Sequence, residues 1–63
     1  MITIQKHPNL SNWIEIRFDG HKLLDQIQGK VRALSIAKRH AVKHKTSVMD
    51  IDENKLHNTF LGK

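Results

Sequence analysis

Two histidines, His40 and His44, stand four residues apart in a stretch of good helix formers. That spacing can place two imidazoles on one metal ion. A tight site needs a further ligand, and only distant residues such as His57 or Asp50 could supply one. No glutamate lies between the pair, so the zinc-protease pattern is absent, and no metal or other cofactor is expected. The acidic residues Asp50, Asp52 and Glu53 fall together, but in a segment that reads as a turn. Ser11, Ser35, Ser47 and the threonines occupy no nucleophile motif. Glu15 has no histidine or second carboxylate beside it by local spacing, so no enzymatic activity is expected. Gly29-Lys30 lacks the further glycines and the following Ser or Thr of a phosphate loop. An anion at that helix start would still be favoured by free amides and by Lys30.

The residues best suited to chemistry are basic. Between Asp25 and Asp50 there is no acid, while Lys30, Arg32, Lys38, Arg39, Lys43 and Lys45 supply six of the eleven Lys and Arg. At about 100° per residue, Arg32, Arg39 and Lys43 fall within roughly 40° of one another on a helical wheel. With Ile36 beside them they form a stripe facing away from Leu34 and Ala37, a geometry that can follow a phosphate backbone. His40 and His44 would add charge at lower pH. The competing reading of the stripe is a solvated helix face. Trp13 would lie on the sheet face away from the helix or at its edge. There it either stacks on a base, packs in an interface, or covers the edge together with Pro8 and Leu10.

These side chains need a scaffold, and 63 residues allow one domain, spanning 1–63. A chain this short has a marginal core and is often stapled by disulfides, metals or a partner subunit. Cysteine is absent, which excludes disulfides and thiolate sites and leaves a homodimer as one way to supply the support. No apolar run approaches the ~20 residues of a membrane helix, so no membrane partner is expected. The start of the chain shows no signal-peptide pattern, and the expected location is cytoplasmic. The formal net charge of +5 favours polyanions and predicts salt-sensitive contacts with them.

Alternation in Ile2-Thr3-Ile4-Gln5 predicts a short half-buried strand. Trp13 to Phe18 predicts a second, with Ile14, Ile16 and Phe18 inward and Trp13, Glu15 and Arg17 outward. Asp19-Gly20 is a strong hairpin signal, and a returning strand is expected over His21 to about Ile27. Lys30 to His44 predicts a helix of about four turns. Its buried face would carry Leu34, Ala37 and Ala41 with Ala33 beside them, the alanines allowing close approach to a sheet. Ser47 to Ile51 predicts a strand with Met49 and Ile51 inward, and Asp52 to Lys55 a turn. Leu56 to Leu61 reads as a final short strand or a tail. The fold class is therefore α+β, in the order β-β-β-α-β with room for a further β, one helix lying on a small mainly antiparallel sheet.

The run Asn12-Trp13-Ile14-Glu15-Ile16-Arg17-Phe18-Asp19-Gly20, then Gly29-Lys30 and the spaced Ala33, Ala37 and Ala41, resembles a known pattern. It is similar to the AP2-like or Arm-type modules at the N-termini of phage tyrosine recombinases. Small bacterial and phage proteins share the outline, over residues 12 to about 45 of this chain. The resemblance implies a three-stranded sheet with a helix behind it, and DNA binding by the sheet face in the major groove. Trp13, Glu15, Arg17 and Lys22 would then be the exposed sheet residues. In this chain the charge lies on the helix instead.

The expected function is a non-catalytic nucleic-acid-binding module, DNA or RNA, of phage or mobile-element type. Arg32, Arg39 and Lys43 would contact phosphates, helped by Lys38 and Arg17. The alternative is a module that binds and modulates another protein, which an exposed apolar patch around Trp13, Leu24 and Ile36 would favour.

Overall fold

The computed structural model describes residues 1–59, in which five strands form one sheet and a single helix covers one of its faces. The strands are β1 (Ile2–Lys6), β2 (Trp13–Phe18), β3 (Lys22–Gln28), β4 (Val48–Asp50) and β5 (Lys55–His57); the helix α1 (Lys30–Lys43) lies between β3 and β4. The protein is α+β with the order β-β-β-α-β-β, so the further strand after β4 is present. Residues 60 and 61, the end of the expected Leu56–Leu61 segment, lie outside the described residues.

The sheet order is β3-β2-β1-β4-β5. β1, β2 and β3 form an antiparallel meander, then α1 carries the chain back across the sheet so that β4 pairs parallel to β1. β5 returns antiparallel on the outer side of β4. At the β2–β3 turn, Asp19 and Gly20 have φ of 53° and 77°, and His21 N–H donates to the Phe18 carbonyl at 3.0 Å. Two successive positive φ values match the right-handed twist of the strands, which is why Asp-Gly serves here. A register shift at Ile16/Arg17 interrupts the β2–β3 ladder and accounts for the imperfect alternation in β3.

Burial follows the register. Ile2 and Ile4 of β1, Ile14 and Ile16 of β2 and Val48 of β4 meet Ala33, Ala37 and Ala41 of α1, and all are buried. Alanine at every fourth helical position presents one shallow ridge, so the backbone of α1 can settle close onto the isoleucines. Phe18, Leu24, Ile27, Leu34 and Ile36 close the margins.

β4 corrects one expectation. Its inward residues are Val48 and Asp50, whereas Met49 is half-buried and Ile51 is exposed. Parallel pairing sets Val48 beside Ile2 and Asp50 beside Ile4, and this fixes which parity faces the helix. Ile51 donates its N–H to the Ile4 carbonyl at 3.0 Å and then enters the β4–β5 turn, so its side chain never joins the core.

The helix C-terminus ends in a Schellman motif. Thr46 N–H donates to the Ala41 carbonyl at 2.9 Å and Lys45 N–H to that of Val42 at 3.2 Å. Lys45 holds φ of 54°, a position where glycine would be unstrained.

Candidate nucleic-acid interface

α1 presents two different faces. Its alanine ridge is buried, while Arg32, Lys38, Arg39 and Lys43 are all exposed on the outward side. Arg32 and Arg39 border one shallow hollow of about 240 Å³ with Ser35 and Ile36 between them. At about 1.5 Å rise per residue, the two arginines are some 10 Å apart along the axis, with Lys43 about 6 Å further on. Ion pairs among the described residues draw only on the Met1 amino group, Arg17 and Lys30. The four outward cations of α1 therefore have no carboxylate within salt-bridge distance among the described residues. No acidic residue occupies the first turn either.

Arg17 is placed differently. It projects from β2 on the sheet face opposite α1, in register with Thr3 and Leu23. Its Nε lies 3.2 Å from Glu15 Oε1, and its Nη1 donates to the His21 carbonyl at 2.7 Å. Glu15 is buried, so Arg17 compensates a carboxylate that water reaches poorly. The structure thus brings Arg32, Arg39, Lys43 and Lys38 onto one helix and leaves Arg17 across the sheet from them. Lys22 is exposed and pairs with Phe18, in register with the helix-facing side.

Lys30, the first residue of α1, reaches the β4–β5 turn. Its Nζ lies 2.6 Å from Asp50 Oδ2 and 3.0 Å from Glu53 Oε2. Asp50 is almost fully buried, and its Oδ1 accepts the Glu53 backbone N–H at 3.1 Å. The Oδ2 contact is an ion pair without hydrogen-bond alignment. Contact with Asp50 raises the Lys30 pKa against the opposing effect of desolvation, and Glu53 adds to the rise. Burial pushes the Asp50 carboxyl upward, but Lys30 and the backbone N–H groups of Glu53 and Asp52 outweigh it and hold the carboxyl below its ordinary value. This cluster locks the helix start to the hairpin and leaves Lys30 little charge to offer elsewhere.

Trp13 is half-buried, in the wall of a larger recess at the end of the sheet, near Leu10 and the start of α1. Lys6 and His7 line the same recess, and neither stands out as a site residue from local spacing. The one signal they carry is His7 followed by Pro8-Asn9-Leu10: the His7 Nδ1 accepts the N–H of Asn9 at 3.0 Å and of Leu10 at 2.9 Å, fixing the loop. Leu24 and Ile36 are partly buried against the core margin. His44 meets Phe18 edge-on, with ring centroids 5.3 Å apart. Among the described residues no group of three metal-ligating side chains forms, and no helix is long and apolar enough to cross a membrane.

Comparison with family models, curated proteins and solved structures gives no match for this chain.

Proposed function

We propose that the outward face of α1 binds nucleic acid through its phosphates, with Arg32, Arg39 and Lys43 as the principal contacts and Lys38 at the flank. The observation that supports this is a row of exposed cations without carboxylate partners among the described residues, on a chain of net charge +5. The shallow Arg32–Arg39 hollow, also lined by Ser35 and Ile36, adds donors suited to a phosphate's oxygens. The recombinase-like alternative, binding by the sheet face, has weaker support because Arg17 is already engaged with Glu15 and the His21 carbonyl.

The test is a titration of the labelled protein with a short mixed-sequence duplex, repeated at several salt concentrations. Three neutralised phosphates give a slope of log K against log salt of about −2.7, so a fourfold rise in salt weakens binding about 40-fold. Shifts should cluster on the helix amides, and Arg39→Ala should reduce the slope by about 0.9. Shifts centred on Trp13 and Arg17 would support the sheet mode. Absence of any shift at low salt would overturn the proposal.

A further inference from the structure

The recess at the end of the sheet is separate from the arginine face. The β1–β2 loop, the start of β2 and the start of α1 converge around it, and it encloses about 500 Å³. That lies within the range of about 300–1,000 Å³ typical of small-molecule sites. Trp13, the chain's single tryptophan, and Leu10 supply its apolar wall. An indole in such a wall offers a plane on which a flat heterocycle can stack.

The polar lining consists mainly of donors. With the His7 Nδ1 accepting two backbone N–H groups, the neutral ring carries its proton on Nε2, which remains a donor. Asn12 adds an amide, and Lys6 an exposed ammonium with no carboxylate in ion-pair range among the described residues. Lys30 and Glu53 also border the recess 3.0 Å apart, but Lys30 is shared with buried Asp50 at 2.6 Å and has no charge to spare for a ligand. Asp52 lies close by, where its Oδ2 accepts the Lys6 backbone N–H at 2.6 Å. The charge of Lys6 is therefore the one left for a ligand.

We propose that this recess binds a single nucleotide, its base stacked on Trp13 and its phosphate met by Lys6. The His7 Nε2–H and the Asn12 amide donate to the remaining acceptors. A flat ring joined to an anion matches an aromatic wall beside an unpaired ammonium and neutral donors. The nucleotide is either free or the phosphorylated end of a single strand. The proposal does not depend on the helix face, since it uses different residues at a different place.

Tryptophan fluorescence tests it without engineering, because Trp13 is the only reporter. Titration of the full chain with AMP should quench the emission saturably and shift the amides of residues 6–13. Adenosine should bind about fivefold more weakly, the scale of one exposed charge pair. Lys6→Ala should impose the same loss on AMP and none on adenosine. Trp13→Phe should retain the amide shifts and Trp13→Leu should lose them, with the spectrum of each variant reporting that it is folded. A 5′-phosphorylated tetradeoxyadenylate binding more tightly than AMP assigns the site to strand ends; equal affinity assigns it to free nucleotide. No saturable quenching at millimolar AMP, or AMP binding indifferent to Lys6→Ala, would overturn the proposal. Duplex binding is followed at the helix amides and mononucleotide binding at Trp13, so either reading can fail while the other stands.

Discussion

Lys30→Met isolates the contribution of the ion pair that ties α1 to the β4–β5 hairpin. The substitution keeps an apolar stem of similar length and removes the ammonium that lies 2.6 Å from Asp50. Asp50 would remain 1% exposed, with the Glu53 N–H still on Oδ1 and no cation facing Oδ2. Breaking a fully buried pair costs about 3–5 kcal/mol. Lys30 is one-third exposed, so screening by water reduces the expected cost to about 2 kcal/mol. In a domain of this size that is a fall in Tm of about 8–16 °C. The pH dependence is the sharper test. Asp50 titrates below its ordinary value when folded, so its contribution is present above the unfolded pKa and is lost as pH falls through the folded one. Lys30 titrates above its ordinary value, so its contribution is present below the unfolded pKa and is lost as pH rises through the folded one. In the variant, burial acts on Asp50 without the ammonium, and the folded state favours the protonated acid. The stability gap should therefore be widest near neutrality, close below about pH 4 as Asp50 protonates, and close again above about pH 10.5. Urea unfolding at pH 7 and pH 3 measures it. A gap as large at pH 3 as at pH 7 would refute the assignment. Lys30→Met combined with Asp50→Leu should recover to within about 1 kcal/mol of the parent.

Lys45→Gly should stabilise the protein by about 0.5–1 kcal/mol, raising Tm by several degrees, because it relieves the positive φ in the Schellman motif. Ala37→Leu should destabilise by about 1–3 kcal/mol or more in chemical denaturation, since it lifts α1 off Ile4 and Ile16 where no space exists. Arg17→Met should cost about 1–2 kcal/mol in the same assay by stranding buried Glu15, whereas Arg39→Met should stay within about 0.5 kcal/mol of the parent. Arg39→Glu should slightly stabilise the free protein, by about 0.5 kcal/mol through the new Glu-to-Lys43 spacing, while abolishing duplex binding by α1 in a fluorescence anisotropy titration.

The elements best read from sequence are those whose signals are local. Alternation in Trp13–Phe18, the Asp19-Gly20 turn and the alanine spacing of α1 each fix a conformation within a few residues. The strand, turn and helix appear as expected, although Glu15, expected outward, is buried. β4 departs from its expected phase because that phase is set by a partner 46 residues earlier: Ile4 lies opposite Asp50. On composition alone Met49 and Ile51 look like the inward pair, since a buried aspartate makes sense only with its counter-charge in view. That counter-charge, Lys30, belongs to another element 20 residues away. The Glu15–Arg17 pairing is within reach of a sequence, because residues two apart share a strand face. The engagement of Arg17 with the His21 carbonyl depends on the turn's path and is not. The cations on α1 are legible because helical phase is a local property, whereas their lack of partners emerges only from the whole fold.

The distribution of charge separates structural cations from spare ones. Buried Glu15 and Asp50 each meet a cation, Arg17 and Lys30 respectively, and exposed Glu53 shares Lys30. The outward residues of α1 receive none of this compensation among the described residues. Arg39 and Lys43 also sit four apart on the helix, a spacing at which like charges repel by a few tenths of a kcal/mol. Lys43 gains a little from the helix dipole at the C-terminal turn, but Arg32 in the first turn opposes it. Folding alone would favour an acid at one of these positions, as Arg39→Glu makes explicit. A polyanion supplies the missing compensation from outside, so binding should raise Tm as salt is lowered, and the same neutralising effect should vanish in the Arg39→Glu variant. Stability and binding then pull in opposite directions at a single residue, which a solvated helix face without a ligand does not require.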